Sequence, residues 1–332
     1  MTGFLTTSYF MEHFGGEVRA AAVRAGLHLE PVLLPLDESA RIDPAEAARV
    51  EVAYFSTDVF AQKLARGFFA AAQGAENLKW LHVFNAGVDN PVFIRTMERG
   101  VRITTSSGST ALPIAQSLIG GLLMLARGFP AWGDAQRRRS WEPHPAEQTP
   151  HDLGTQTLVV YGMGAIGTEV ARLGKALGLH TIGIRRSPLK PGDPVDEMLS
   201  PAALDGILPR CDWLALACPL TPETRQLLNA RRLALMPKGS HLLNISRGEV
   251  ADEAALIAAL ASGQLGGAYL DVFEVEPLPA DSQLWAMPNV IVSPHNSAAA
   301  RGNEARAAAI FLANLEAYGR GLPLVNEAAP PR

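Results

Sequence analysis

Short hydrophobic runs alternate with longer amphipathic stretches along most of the chain. The runs are bounded by Gly, Pro, Asn or Asp and are typical of buried strands. The predicted strands are Phe4–Thr6, Leu29–Leu34, Val50–Phe55, Leu78–Phe84, Val101–Thr105, Leu158–Tyr161, His180–Ile184, Trp213–Ala217, Leu242–Ile245, Ala268–Val272 and Val290–Ser293. Because helical stretches separate them, the pattern predicts parallel βαβ units.

The stretches between the strands carry the spacing and the end signals of helices. Apolar residues recur three or four positions apart, and Gly follows the last periodic residue in several cases. The predicted helices are Glu12–Ala25, Pro113–Ala126, one with Ile166, Val170, Leu173 and Leu177 on one face, Asp252–Ser262 and Ala300–Tyr318. By contrast, Ala131–Pro150 is polar and proline-rich, and we expect an irregular protruding arm or linker there.

Composition narrows the class of protein. A chain of 332 residues is long enough for about two domains. The hydrophobic content of 48% excludes a disordered chain, and the net charge of -4 argues against a nucleic-acid partner. Two cysteines exclude a disulfide framework and a Cys-based zinc site, and we expect no metal. The longest apolar run, Leu118–Ala126, is too short for a membrane span, and no signal peptide is apparent, so we expect a soluble cytoplasmic protein.

A G-x-G-x-x-G segment follows the strand Leu158–Tyr161 and opens a helix. This context is typical of dinucleotide-binding sites, where glycines allow a tight turn and the helix N-terminus faces the pyrophosphate. The alternative is a glycine-rich turn without a ligand. The predicted cofactor-binding residues of this turn are Gly162, Met163, Gly164, Ala165, Ile166 and Gly167.

The residues after the next strand bear on the choice of cofactor. NAD sites usually place Asp or Glu there to bind the ribose 2′-hydroxyl. Here His180–Ile184 is followed by Arg185, Arg186 and Ser187, which can bind a 2′-phosphate through charge-assisted hydrogen bonds. The sequence therefore favours NADP(H), with NAD(H) as the alternative if both arginines are merely solvated.

Three further segments end or follow strands, where ligand sites of α/β sheets lie. They are Leu243–Glu249, Leu270–Leu278 and Val292–Ser297. Together with Cys218–Thr224 and Asn85–Asp89, they closely resemble the D-isomer-specific 2-hydroxyacid dehydrogenase family. The strand exit with Arg and Ser is similar to that of the glyoxylate/hydroxypyruvate reductases within the family.

The resemblance implies a catalytic set of Arg247, Glu276 and His295. Arg247 would bind the substrate carboxylate, which matches a planar guanidinium, and would polarise the keto oxygen. His295 would be the general acid in reduction and the base in oxidation, a role suited to imidazole near neutral pH. Glu276 would bond the other imidazole nitrogen. Each residue also has an ordinary structural alternative, such as an ion pair of Arg247 with Glu249.

Other site residues follow from the same resemblance. Ala86, Gly87 and Val88 would hold the substrate carboxylate through backbone N–H groups, unless they form an ordinary turn. Asp271 would bond the nicotinamide carboxamide, with Ser297 nearby. The residues expected to line the cofactor are Cys218, Pro219, Ile245 and Ser246.

The implied fold is α/β, with two Rossmann-like, doubly wound parallel-sheet domains and a cleft between them. Residues 1–106 with 296–332 would form the substrate domain, which is flavodoxin-like. Residues 107–295 would form the dinucleotide-binding domain, and the region 113–145 resembles the family's dimer-forming arm, so we expect a homodimer.

The predicted function is reduction of a small 2-keto acid, such as glyoxylate or hydroxypyruvate, to the D-2-hydroxy acid with NADPH. One alternative is an NAD-dependent D-2-hydroxyacid dehydrogenase of a larger substrate. The other is a dinucleotide-sensing binding protein, like the family's corepressor branch.

Overall fold

Residues 2–37, 42–85, 87–88 and 90–328 are described by a computed structural model, with the side chains in those ranges except that of Gln148. The chain divides into two units, Met1–Ser109 with Ala300–Arg332, and Thr110–Ala299. The roles predicted for the two parts of the chain, and the cleft between them, stay predictions.

The strands of the described residues are three to six residues long. They are β1 (Thr2–Thr6), β2 (Leu29–Leu33), β3 (Val50–Phe55), β4 (Trp80–Val83), β5 (Arg102–Thr105), β6 (Thr157–Tyr161), β7 (His180–Ile184), β8 (Glu197–Leu199), β9 (Trp213–Leu216), β10 (Ser240–Asn244), β11 (Leu265–Leu270) and β12 (Val290–Val292).

The α-helices of the same residues connect most of these strands. They are α1 (Ser8–Arg24), α2 (Pro44–Ala48), α3 (Thr57–Ala61), α4 (Ala65–Gly74), α5 (Pro91–Glu98), α6 (Ala111–Ala126), α7 (Phe129–Arg138), α8 (Ala165–Ala176), α9 (Leu204–Ile207), α10 (Ala230–Leu235), α11 (Glu253–Ala261) and α12 (Asn303–Gly319).

The first unit is built on a parallel sheet in the order β2-β1-β3-β4-β5. Side chains of β1 alternate between its two faces, as the pleat requires. Phe4 belongs to one core with Phe10 of α1 and Phe311 of α12. Leu5 belongs to a second core with Phe68 of α4. Helices therefore cover both faces, which explains why the central strands β1, β3 and β4 are mostly buried.

The second unit contains a parallel sheet in the order β12-β11-β10-β9-β6-β7-β8. The chain enters at β6 and adds strands on both sides of it, so the strand order reverses between β6 and β9. The carboxyl ends of the strands at such a reversal form the usual ligand crevice. The predicted fold class, α/β with two Rossmann-like parallel-sheet units, is confirmed.

Some predicted elements differ from the structure. The expected irregular arm at Ala131–Pro150 was wrong at its start, since α7 occupies Phe129–Arg138. Gly128, with φ of 73°, ends the preceding helix, and Pro130 lies in the first turn of α7, where proline is tolerated. The proline thus starts a helix.

Two other boundaries were set by signals other than hydrophobic periodicity. Helix α1 begins at Ser8, before the predicted Glu12, because the Thr7 side chain accepts a hydrogen bond from the Phe10 N–H at 3.0 Å. Strand β8 (Glu197–Leu199) was missed because it is a short edge strand without a hydrophobic run.

Within the described ranges, no single helix is both long and apolar enough to cross a membrane. Helices α6 and α7 meet the length and composition criteria only as a pair, bent by 68°.

Candidate active site

His295 and Glu276 form a hydrogen-bonded pair at one edge of the second sheet. Glu276 follows β11 and His295 follows β12, which are adjacent and parallel, so their carboxyl ends meet. Nδ1 of His295 lies 2.7 Å from Oε2 of Glu276, and the side chains are 49% and 35% exposed. The bond occupies Nδ1 and leaves Nε2 as the nitrogen for proton exchange with a ligand.

The charge state of Glu276 results from opposing influences. Burial opposes its ionisation, but hydrogen bonds from His295 and from the Phe273 N–H outweigh that effect. The charge of Arg247 acts in the same direction, so the pKa of the Glu276 carboxyl lies below its ordinary value. Glu276 is therefore a carboxylate at neutral pH and can stabilise a protonated imidazole.

The backbone holds His295 in an unusual conformation. Its φ is 49°, in the left-handed region that non-glycine residues rarely occupy. Its N–H donates to the carbonyl oxygens of Asp271 at 2.9 Å and Ser293 at 3.0 Å. Such an outlier persists only where the surroundings over-determine it, which is common at functional sites.

Asp271 is buried and holds the loop that carries His295. Its carboxylate accepts the Ser293 hydroxyl at 2.5 Å and the Asn296 N–H at 2.9 Å. It also accepts the hydroxyl and the N–H of Ser297, at 2.5 Å and 3.1 Å. Asp271 and Ser297 were predicted to contact the nicotinamide. They are positioning residues for the loop in this structure, and the contact with a nicotinamide stays a prediction.

Arg247 follows β10, the strand next to β11. The Asn244 side chain fixes its turn, because it accepts the Ser246 N–H at 3.1 Å and donates to the Arg247 carbonyl at 3.2 Å. At Gly248, a Cβ atom would lie 1.8 Å from the Phe273 carbonyl carbon, so only glycine permits this approach of the two loops. With the loops this close, the positive charge of Arg247 lowers the pKa of Glu276.

Sequence reasoning missed the positioning roles of Asn244 and Gly248. A glycine directly after an arginine at a strand exit is a signal of close backbone approach that could have identified Gly248.

The predicted dinucleotide turn lies between β6 and α8. Gly162 has φ of 104°, and a Cβ there would lie 2.6 Å from the Cys218 nitrogen. A Cβ on Gly167 would lie 2.0 Å from the Gly162 oxygen. Gly164 precedes α8, has no side-chain cap, and has nothing within 4 Å of its Cβ position. The start of α8 is therefore uncapped and unobstructed at Gly164, and this turn fits a pyrophosphate.

Most residues predicted to line the cofactor surround this turn. Met163, Ile245 and Ser246 are buried, and Ile166 is partly so. Burial raises the pKa of the Cys218 thiol to about 11, which keeps it protonated. Cys218 is thus unsuited to be a nucleophile. The exposed residues of this set are Gly164, Ala165 and Pro219.

Arg185, Arg186 and Ser187 follow β7, as predicted. Both arginines line a cavity of about 330 Å³ whose walls also include Gly162 and Glu223. Arg186 and Ser187 are exposed, whereas Arg185 forms an ion pair with Asp193 at 2.5 Å. The chain carries no carboxylate directly next to the arginines, but the fold brings one to Arg185.

The residues predicted to hold the substrate carboxylate belong to the first unit. Gly87 and Val88 follow β4; Gly87 is exposed, and Val88 packs against the core of that unit. Ala86 lies outside the described residues. Within the described part of the chain, no group of three or more His, Cys, Asp or Glu residues is arranged to hold a metal ion.

Two known enzymes are about one third identical in sequence to this chain. The chain is 32% identical to a glyoxylate reductase of Korarchaeum cryptofilum over 77% of this chain and 78% of that protein. It is 33% identical to a D-3-phosphoglycerate dehydrogenase of Methanocaldococcus jannaschii over 74% of this chain, but it spans only 47% of that longer protein.

A solved structure extends the similarity over the full chain. It is a D-isomer specific 2-hydroxyacid dehydrogenase from Xanthobacter autotrophicus Py2, in complex with NADPH and MES. The TM-score is 0.74 and the identity 31%, over 99% of this chain and 98% of that one.

A family model, the NAD binding domain of D-isomer specific 2-hydroxyacid dehydrogenases, matches residues 119–297, more than half of the chain. The matched region includes Arg247, Glu276 and His295. The chain therefore belongs to the D-isomer specific 2-hydroxyacid dehydrogenase family of NAD(P)-dependent oxidoreductases.

Proposed function

We propose that this chain reduces a small 2-keto acid, of the glyoxylate or hydroxypyruvate type, to the D-2-hydroxy acid with NADPH. The observation that carries the proposal is the His295–Glu276 hydrogen bond of 2.7 Å at the carboxyl edge of the sheet, within the field of Arg247. A base–carboxylate pair beside a guanidinium suits a reaction that builds negative charge on a keto oxygen.

In this proposal, His295 transfers the proton. The nicotinamide, when bound, supplies the hydride that reaches the keto carbon. His295 donates a proton from Nε2 to the keto oxygen, and Glu276 stabilises the imidazolium before that transfer. General acid catalysis of this kind contributes roughly 10²–10⁴-fold to a rate. In the oxidation direction, the same nitrogen accepts the proton.

Substrate binding belongs to Arg247 and to the loop after β4. The Arg247 guanidinium binds the carboxylate in one plane and polarises the neighbouring keto oxygen. The backbone N–H groups of Ala86, Gly87 and Val88 are the further carboxylate ligands that the sequence predicts. Small substrates are favoured by similarity to the glyoxylate reductase of K. cryptofilum, at 32% identity.

The cofactor proposal rests on the turn Gly162–Gly167 and on the residues after β7. The uncapped N-terminus of α8 binds the pyrophosphate, and exposed Arg186 and Ser187 bind the 2′-phosphate. The NADPH complex of the X. autotrophicus structure supports this choice. NADH is the alternative cofactor.

We further propose a cytoplasmic homodimer. Helix α7 and the segment after it expose large aromatic side chains, with Phe129 51% and Trp141 96% exposed. Exposed apolar surface of this kind is typical of interfaces. Sedimentation at micromolar concentration should yield the mass of a dimer, and a mass near 35.4 kDa would exclude it.

The proposed reaction is tested with a panel of 2-keto acids. Glyoxylate, hydroxypyruvate, pyruvate and phenylpyruvate are each assayed with NADPH and with NADH, and chiral analysis identifies the product. We expect the highest kcat/KM for glyoxylate or hydroxypyruvate with NADPH, and a D-configured product wherever the product is chiral.

Two outcomes would overturn the proposal. A higher kcat/KM for phenylpyruvate with NADH would indicate the dehydrogenase of a larger substrate. Tight dinucleotide binding without turnover of any 2-keto acid would indicate a dinucleotide sensor.

A further inference from the structure

Asp193 and Arg185 form a two-pronged ion pair beside the predicted 2′-phosphate site. NH1 of Arg185 donates to Oδ1 of Asp193 at 2.9 Å, and NH2 donates to Oδ2 at 2.5 Å. The side chain of Arg185 is only 15% exposed and that of Asp193 12%, so solvent has little access to the pair. A bidentate pair of this geometry is among the stronger side-chain interactions.

The pair also fastens the loop that joins its two members. Arg185 donates to the carbonyl oxygens of Ser187 at 3.1 Å and Pro188 at 2.6 Å. Asp193 accepts the Lys190 N–H at 2.6 Å, and its own N–H donates back to the Lys190 carbonyl at 3.1 Å. These bonds use most of the five N–H donors of the guanidinium, so little of it is left for a ligand.

The charge of Asp193 also makes Arg185 less available to a ligand. The hydrogen bond from Arg185 is the main reason that the pKa of Asp193 lies below its ordinary value. Asp193 is therefore a carboxylate at neutral pH and cancels the charge of Arg185. A 2′-phosphate would have to displace a carboxylate before it could bind Arg185.

Arg186 has the opposite surroundings. It is exposed and lines the same cavity as Tyr161 and Glu223. Its charge contributes to lowering the pKa of Glu223, after a hydrogen bond from Thr221. The guanidinium of Arg186 thus acts on the walls of the cavity, while that of Arg185 is held in the loop.

We propose that Asp193 is a specificity-determining residue for the cofactor. By holding Arg185 in the loop, Asp193 leaves Arg186, of the two arginines after β7, to select the 2′-phosphate. Asp193 thereby limits the preference for NADPH over NADH. This inference rests on the proposed dinucleotide site, and it adds a residue that tunes the choice between the two cofactors.

The test measures binding of two ligands that differ only by the 2′-phosphate. Adenosine 2′,5′-bisphosphate and 5′-AMP are titrated into the full chain and its variants by calorimetry, so the readout does not depend on turnover. The measured quantity is the ratio of the two association constants. Asp193→Asn keeps an oxygen for the Lys190 N–H but removes the charge that holds Arg185.

We expect Asp193→Asn to raise this ratio about tenfold, the effect of one added charge-assisted hydrogen bond. Arg186→Ala should lower the ratio at least about tenfold for the same reason. Arg185→Ala alone leaves the charge of Asp193 uncancelled and should lower the ratio by electrostatic repulsion of the 2′-phosphate. The double variant with Arg185→Ala and Asp193→Asn removes both charges of the ion pair and should leave the ratio within about twofold, because Arg185 does not bind the phosphate in the original chain.

Asp205→Asn is the matched control. Asp205 also pairs with arginines, Arg231 at 2.6 Å and Arg232 at 2.7 Å, but it does not line the cavity. Its ratio should equal that of the original chain, and thermal melting of each variant confirms that it is folded.

The outcomes separate this inference from the proposed site. If the double variant with Arg185→Ala and Asp193→Asn lowers the ratio as much as Arg186→Ala, Arg185 leaves Asp193 to bind the phosphate and the inference is overturned. An unchanged ratio in Asp193→Asn overturns it as well. If the original chain binds neither ligand, the proposed dinucleotide site itself fails, and the inference fails with it.

Discussion

His82 and His295 belong to parallel sheets of similar design, yet their surroundings are opposite. His82 lies inside β4 of the first unit, fully buried, with Nδ1 2.7 Å from the Thr104 hydroxyl and Nε2 3.0 Å from the Ser106 hydroxyl. His295 follows β12 of the second unit, is 49% exposed, and pairs with the Glu276 carboxylate at 2.7 Å.

The difference lies in burial and in the charge of the partner. Burial lowers the pKa of His82 to about 3, and hydroxyl partners supply no charge to compensate for it. His82 is therefore neutral at physiological pH and serves packing. Glu276 offers a negative charge to a half-exposed imidazole, and such an environment permits proton exchange. A histidine at the end of a strand can thus do chemistry that a histidine within the strand cannot.

Replacement of His295 should cause the greatest loss of activity. His295→Gln keeps a polar side chain but removes the proposed proton donor, so kcat should fall roughly 10²–10⁴-fold. Affinity for NADPH, measured by fluorescence titration, should stay within about twofold because no interaction with the cofactor is removed. Near-normal turnover in this variant would remove His295 from the mechanism.

His82→Asn is the matched control for that experiment. It removes an imidazole from the other unit and keeps an amide that can bond one of the two hydroxyls. Its kcat at neutral pH should stay within about threefold of the original value, provided that it is assayed below its melting temperature. A loss of kcat as large as that of His295→Gln would contradict the contrast drawn between the two histidines.

Much of this contrast could be predicted from the sequence. His82 lies within the hydrophobic run Leu78–Phe84, whereas His295 follows Val290–Ser293. The alternation of strands and helices likewise predicted both parallel sheets. These features depend on local pattern, and local pattern is what a single sequence carries.

The supporting contacts could not be predicted, because they join residues distant along the chain. Asp271 bonds Ser297, and Gly248 allows the approach to Phe273, only after strands have paired. The Asp193–Arg185 pair depends on the conformation of the loop between them. Helix α7 was not predicted because a proline such as Pro130 can follow the end of one helix or lie in the first turn of the next.

Replacement of His82 should change the pH dependence of stability. The pKa of His82 is lowered from 6.5 to about 3, so the folded state keeps it neutral while the unfolded state takes up a proton below pH 6.5. Stability therefore falls as the pH falls through 6.5, by roughly 2 kcal/mol between pH 8 and pH 5 for one such histidine. His241, stacked on Trp213 in the second unit, has a pKa lowered by burial to about 4 and adds a similar loss.

In urea unfolding across this range, His82→Asn should be less stable at every pH but should lose less stability on acidification, by about 2 kcal/mol. His28 is exposed, and His28→Asn is the control. This variant should keep the original pH dependence of stability. An unchanged pH dependence in His82→Asn would mean that His82 takes up its proton in the folded state, and the contrast with His295 would then rest on position alone.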